Sequence, residues 1–443
     1  DQHQISTIMS NTSWYRSVYW NMRGNKEYTK AGYEAAAVRF KPAEVDVDCT
    51  DRHVLITGGN KGLGLSTALS LARKGAVLHL VCRNMVDAKA ARSKMITETG
   101  NDKVHLYHLD MSRPRDVMQF CGEFVTQQTQ LHVLINNAGA MVHDRVLDDD
   151  GLEYNFTVNT LGTHLMTVGL MPLLLKSEDS RVINVSSAGM LQVRLDPKDL
   201  MFENMVPFSG NLAYSQTKRQ QVVLTLCYAQ MYAKVHFSSM HPGWADTLAV
   251  RTSLPEFYEM YKDKLRTPDQ GADTIVWLAI SRRAKTYNSG LFFQDREAVP
   301  THLPLAWTKN TMNEEKIFLE NLQAIVTRLQ QPREEALSEV MQNGESNGVE
   351  HEEQVQREEV VVEQQQEGEQ EDEQSDHKKE EDHKEEQADP KEQQRDHKEE
   401  EAHKDEEEHK DEQADHKEEQ RDHKEEEAHK DEEEHKDEQA DHK

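Results

Sequence analysis

The stretch His53-Val-Leu-Ile-Thr-Gly-Gly-Asn-Lys-Gly-Leu-Gly64 decides how this chain is read. Val54 to Thr57 has β character, glycines stand at 58, 59, 62 and 64, and a helix-forming segment begins at Leu65. In a strand, glycine turn and helix of this kind the backbone approaches a pyrophosphate, whose charge rests on free N–H groups at the helix N-terminus. A plain β-turn-α connection has the same outline, so the rest of the chain must decide between them.

Apolar runs and helical segments alternate from residue 53 onward. Val77 to Val81, Val104 to Leu109, Leu131 to Asn136, Val182 to Ser186, Val235 to Met240 and the late Gly290 to Phe293 read as strands. Helices are predicted over 65–75, 113–128, 151–176, 211–233 and 268–281. Such alternation gives right-handed βαβ crossovers. The predicted fold class is α/β, a doubly wound parallel sheet of the Rossmann type with helices on both faces. In these sheets ligands lie beyond the carboxyl ends of the strands, and chemistry is sought there.

Cys82-Arg83 follows the second strand, where a free ribose 2′-hydroxyl would call for an acidic residue. Arg83, with Lys61 inside the glycine turn, offers two cations to a 2′-phosphate and points to NADP(H) as cofactor. Asp110 closes the third strand and is placed to accept from an adenine amino group, with Ser112 as cap of the next helix. The fourth strand ends in Asn136-Asn137-Ala138-Gly139, whose small residues allow close backbone approach. Ser186 and Ser187 end the fifth. On the following helix Tyr214 and Lys218, four residues apart, share a face. A neighbouring ammonium is expected to lower the phenol's pKa, making Tyr214 a usable acid or base.

Thr57-Gly-Gly-Asn-Lys-Gly-Leu-Gly64, Asn136-Asn137-Ala-Gly, Asn159, Ser187, Tyr214-x-x-x-Lys218 and His241-Pro-Gly-Trp-Ala-Asp-Thr247 occur in one order. Together they resemble the short-chain dehydrogenase/reductase family, over roughly residues 10–325. The resemblance implies a cofactor loop of Thr57, Gly58, Asn60, Lys61, Gly62, Leu63 and Gly64, with Asn137, Ala138 and Gly139 beside it. It makes Tyr214 the acid/base, Ser187 the residue that positions the substrate carbonyl, and Lys218 the grip on the nicotinamide ribose. Asn159 would hold a water in a proton relay through Lys218, and Pro242, Gly243 and Thr247 would close over the nicotinamide. The family's glycine three residues after the catalytic serine is absent, since Gly189 lies two after Ser187; that leaves Ser186 as a second candidate. Homo-oligomers, assembled through helices that include the one bearing Tyr214, are also implied.

Met141, Val142, Met190, Leu191, Phe208 and Trp244 are expected around the carbonyl and suit a lipophilic aldehyde, ketone or alcohol. The 27 residues from Ser187 to Tyr214 leave extra loop to shape that pocket, and 246–266 reads as a mobile substrate loop. His241 reads as a hydrogen-bonded histidine without a catalytic role. The predicted function is an NADP(H)-dependent oxidoreductase moving hydride between the nicotinamide and a carbonyl or alcohol carbon. Its competitor is a cofactor-binding interaction protein whose acidic tail recruits partners.

Of the chain's net charge of −29, residues 351–443 carry −27, so the first 350 residues are nearly neutral. Neither part suits nucleic acid. Four scattered cysteines, Cys49, Cys82, Cys121 and Cys227, indicate neither a zinc site nor a disulfide framework. A reducing compartment such as the cytoplasm fits best, and no apolar run reaches the roughly 18 residues of a membrane span. Asp-Gln-His-Gln at the start does not read as a secretion signal, and the missing Met suggests a fragment.

Four segments are predicted: an aromatic N-terminal extension (1–50), the main domain (51–330), a linker (331–350) and an acidic low-complexity tail (351–443). Trp14, Tyr15, Val18, Tyr19 and Met22 would share a helix face, either packed on the fold or, with Arg16, Arg23 and Lys26, resting on a membrane surface. In the tail, 395–417 repeats without change as 421–443, a period of 26. The repeat offers only alanines to bury, so disorder or an isolated helix is expected. Its histidines, mostly six or seven residues apart, indicate no defined metal site.

Overall fold

Val54, Leu55 and Ile56 are completely buried in β1 (His53–Thr57), the strand that feeds the glycine turn. In the computed structural model, which describes residues 14–332, β1 pairs in parallel with β2 (Val77–Cys82) on one side and β4 (Val133–Asn136) on the other. β3 (Val104–His108), β5 (Arg181–Val185), β6 (His236–Met240), β7 (Phe292–Gln294) and β8 (Glu297–Ala298) complete an eight-stranded sheet. Its order is β3-β2-β1-β4-β5-β6-β7-β8, with only the β7–β8 pair antiparallel. The order reverses direction between β1 and β4, which opens the crevice at their carboxyl ends. The doubly wound Rossmann sheet read from the sequence is therefore the observed fold.

Helices fill both faces. In chain order they are α1 (Trp14–Arg23), α2 (Lys30–Ala37), α3 (Gly62–Ala72), α4 (Met85–Thr99), α5 (Pro114–Gln127) and α6 (Tyr154–Lys176). Then come α7 (Gly210–Met231), α8 (Leu248–Ser253), α9 (Pro255–Tyr261), α10 (Pro268–Ile280) and α11 (Met312–Gln330). One apolar cluster gathers Leu134, Leu165, Leu170 and Phe237, the other Ile56, Leu78, Ile183 and Trp277. α4 is absent from the sequence reading because it buries only Ala88, Ala91 and Met95. Its ends were marked all the same: Asn84 accepts from Val86 and Asp87 N–H, and Gly100 closes the helix at φ 72°. α6 is long and apolar enough to cross a bilayer, yet 78% of that window is buried inside the fold.

The N-terminal stripe packs on the fold. Trp20 Nε1 donates to Ala188 O at 2.8 Å, Tyr15 Oη to Pro304 O at 3.1 Å, and Tyr28 is fully buried against His241 and Trp244. Trp14 and Met22 stay exposed, so the five residues do not share one covered face. Arg266 fixes this segment from the far side, donating to Glu27 O and Thr29 O while pairing with Asp295 at 2.6 Å. The predicted acidic tail, and all of the linker except residues 331 and 332, lie outside the described residues.

Several histidines are buried as neutral rings. Burial and the neighbouring His53 and His105 hold His79 down at about 3, where it joins His53 and Tyr107 by 3.0 Å hydrogen bonds. Burial likewise holds His164, His236 and His241 at about 4. Groups depressed in the folded state contribute stability above their ordinary pKa near 6.5, lost as pH falls below it. Each should withdraw up to about 1.4 kcal/mol per pH unit. The melting temperature, followed by calorimetry, should fall by several degrees between pH 7.5 and 5.5; a flat profile would contradict these burials.

Candidate active site

Gly58 and Gly62 take φ of 69° and 51°, the left-handed region where side chains are strained. At Gly64 a Cβ would stand 2.2 Å from Gly58 O and 2.6 Å from Asn137 Nδ2. The glycines thus let the turn close tightly on its own backbone and on the end of β4. The cap of α3 is Lys61 with no side-chain hydrogen bond, so no side chain caps the first-turn N–H groups. Asn137 Nδ2 ties the turn to β4 by donating to Thr57 O at 2.9 Å and Gly58 O at 3.3 Å. Thr247 Cγ2 would lie 3.4 Å from a Cβ on Gly62, and Leu63 and Pro242 both border Gly271, which brings the two predicted ends of the cleft together.

Thr57 is occupied elsewhere. Its buried hydroxyl accepts from Asn137 N and Ala138 N, both at 3.0 Å, and so latches β1 to β4. Asn60 is half-exposed on the turn. Lys61 Nζ pairs with Asp87 at 2.7 Å, and Arg83 donates to Tyr154 Oη at 2.9 Å, 3.9 Å from Asp110. Both cations therefore border the carboxyl end of β2 and remain largely exposed. Asp110 Oδ1 accepts from Ser112 N and Oγ, and the cap of α5 is Arg113, so Ser112 is not that cap. The short connection turns back on the carboxylate before the helix begins.

On the substrate side Ser187 is half-buried, its Oγ accepting from Gly189 N at 3.2 Å, and its hydroxyl lies near enough to the Tyr214 phenol to pull that group's pKa down against burial. The hydroxyl of Ser186, the second candidate, is buried and donates to Lys218 O at 2.8 Å. Lys218 Nζ donates to Val185 O at 2.9 Å and Gln221 Oε1 at 3.0 Å, 5.4 Å from the Tyr214 ring centroid. It would lie 3.3 Å from a Cβ on Gly139, so the small residue ending β4 makes room for the ammonium.

The electrostatics differ from the expectation. Burial pushes Tyr214 up to about 12 against the opposing influence of the Ser187 hydroxyl, and the same burial brings Lys218 down to about 7. The ammonium is spent on a carbonyl and an amide, so desolvation decides both groups. Asn159 differs too. It sits in a π turn of α6 (Thr157–Leu161), and its side chain is committed to Ala140 N, Ala140 O and Thr217 Oγ1. Its carbonyl accepts from Gln221 Nε2 at 2.7 Å. Gln221 escaped the sequence reading, although two adjacent glutamines facing into a largely buried helix were a signal that polar partners await them.

His241 is structural: Nδ1 accepts from Gly243 N and Nε2 donates to Gln294 Oε1, both near 3 Å. Gly243, at φ 72°, stands where a Cβ would meet Arg266 at 2.4 Å, and Pro242 O accepts from the same guanidinium. Met190 and Leu191 are buried with Tyr28 and so leave the predicted pocket lining, while Met141, Val142 and Phe208 remain half-buried. Trp244 is covered by Trp20, Tyr28, Phe257 and Tyr261.

The family model described as short chain dehydrogenase matches residues 52–197, from β1 to beyond Ser187. Dehydrogenase/reductase SDR family member 12 of Homo sapiens is 50% identical over 313 residues, 71% of this chain and 98% of that protein. The runs Tyr15 to Trp20, Glu27 to Lys30, Lys218 to Val223, Ser238 to Thr247 and Phe292 to Arg296 resemble that same relative. Retinol dehydrogenase 11 of Homo sapiens is 33% identical over 246 residues, 55% of this chain and 76% of the relative. Among solved structures, the short chain dehydrogenase from Shigella flexneri is 22% identical with a TM-score of 0.47, covering 59% of this chain and 96% of its own. Salutaridine reductase from Papaver somniferum is 21% identical with a TM-score of 0.45, covering 55% and 99%.

Proposed function

The chain belongs to the short-chain dehydrogenase/reductase family, and from that premise we propose that it is an NADP(H)-dependent reductase of a lipophilic carbonyl compound, with Tyr214 as the acid. The observation that carries this reading is the buried Lys218 ammonium 5.4 Å from the Tyr214 ring centroid, with the Ser187 hydroxyl close enough to act on the phenol's pKa. The bound nicotinamide would supply the hydride. Ser187 and Tyr214 would hold the carbonyl oxygen between two hydroxyls and stabilise the charge developing on it. Tyr214 would then give its proton to that oxygen. A phenol near 12 is protonated at neutral pH, which suits a donor and favours reduction over oxidation.

Gly58, Gly62, Gly64, Asn137 and Thr247 would shape the cofactor end, and Lys61 and Arg83 its phosphate. Lipophilicity is supported by Met141, Val142 and Phe208, and retinol, which names one relative, is itself a lipophilic alcohol. Arg83→Asp should weaken NADPH binding about 10–100-fold, the scale of one charge-assisted hydrogen bond, and leave NADH nearly unchanged. Titrating both cofactors by calorimetry checks this; equal losses would rule out the phosphate role. The reading as a whole is tested by NADPH oxidation over a panel of aldehydes and ketones, where wild-type turnover is expected on apolar substrates.

A further inference from the structure

Gln221 lies one turn beyond Lys218 in α7 and is fully buried. Its Nε2 donates to Asn159 O at 2.7 Å and Thr163 Oγ1 at 3.0 Å, while its Oε1 accepts from Lys218 Nζ at 3.0 Å. Thr163 Oγ1 donates its own proton to Asn159 O at 2.7 Å, so both partners of Nε2 act as acceptors. Flipping the amide would set Oε1 against a carbonyl oxygen and the NH2 group against the ammonium. Its orientation is thereby fixed by α6, and the position of Lys218 is fixed through it.

Resting on the reductase reading above, in which Lys218 stands beside the acid Tyr214, we propose that Gln221 is a positioning residue for the reaction, its amide oxygen holding the Lys218 ammonium next to Gly139 and Tyr214. The groups facing that ammonium are Val185 O from β5, Gly139 from the end of β4, and Tyr214 and Gln221 from α7. Tyr214 alone among these titrates, and burial is the whole cause of the Lys218 depression. Gln221 is therefore the adjustable support of the charged form. An amide oxygen accepts but passes no proton on, so this contact steadies Lys218 without forming a relay to Asn159.

Two variants of the full chain test this. Gln221→Glu keeps the acceptor facing Lys218 and adds a charge that favours the ammonium, while setting its second oxygen against Asn159 O; Gln221→Met keeps the length and removes the acceptor. Lys218 is followed by NMR of lysine-labelled protein, assigned with Lys218→Met, independently of turnover. Its titration should move up by a pH unit or more in Gln221→Glu and down in Gln221→Met. A group raised in pKa stays charged to higher pH, so the fall of kcat at alkaline pH should shift the same two ways. For Gln221→Met, kcat at pH 8 should drop about tenfold and recover toward pH 6, with the NADPH KM changing less than threefold.

A merely structural role would lower thermal stability and kcat at every pH while leaving the Lys218 midpoint in place, and that result overturns the proposal. If Gln221→Met fails to fold, Gln221→Glu decides alone. Shifted Lys218 midpoints in a protein that turns over no carbonyl would uphold the contact and overturn the reductase reading instead.

Discussion

Tyr214→Phe should lower kcat/KM for carbonyl reduction by about 10²–10⁴-fold, the usual contribution of a positioned acid or base. The ring stays and only the hydroxyl goes, so NADPH affinity should change less than twofold. The phenol would donate in a site where burial holds it neutral at about 12. Steady-state rates from NADPH absorbance, with cofactor binding by fluorescence, separate the two quantities. Equal turnover by variant and wild type would remove Tyr214 from the chemistry.

Arg266→Met should produce the largest loss of stability. The guanidinium makes a two-point pair with Asp295, both side chains almost fully buried, and donates to Glu27 O, Thr29 O and Pro242 O. Removing it strands a buried carboxylate and takes a donor from three carbonyls, of which Thr29 O keeps its bond from Tyr33 N. Such a loss is about 3–5 kcal/mol, or roughly 5–10 °C in melting temperature for a chain of this size. Trypsin should then cut within 14–37, because the same bonds hold that segment down. By contrast Arg251→Ala, which breaks an exposed pair with Asp246, should change stability by less than about 1 kcal/mol. A melting temperature within 2 °C of wild type for Arg266→Met would refute this account of how the extension is held.

Much of this fold was legible because its signals are local. Val54 to Gly64 carries strand, turn and helix start within twelve residues, and the spacing of Tyr214 and Lys218 fixes their common face wherever the helix goes. What escaped depends on contacts between distant segments. Nothing near Thr57 reveals that its hydroxyl is taken by Asn137 and Ala138, eighty residues away. Nothing near Met190 or Leu191 reveals that they will be buried in one apolar cluster with Tyr28. The pKa expectation failed for a related reason: spacing shows that a lysine is near a tyrosine, whereas the desolvation of both follows from the whole fold around them. Ser186 and Ser187 became distinguishable only when Lys218 O was found to occupy the first.

Tyr28 and Trp20 draw a further consequence from packing. The segment 14–37 reaches the residue next to Ser187 through the Trp20 indole and lies under the Pro242–Trp244 turn through Tyr28. Deleting it should therefore disturb the substrate side of the cleft before the phosphate side, where Asn137 and the glycine turn are held by β1 and β4.

Deuterium transfer tests the central claim most directly. Wild-type protein is supplied with NADPH carrying deuterium at C4, separately on each face, together with an apolar aldehyde or ketone it turns over, and the product alcohol is examined by mass spectrometry. Deuterium should appear at the carbinol carbon from one labelled face only, with the signal reduced at least a hundredfold in Tyr214→Phe. Bound NADPH that yields no labelled alcohol from either face, in wild type and variant alike, would contradict the account.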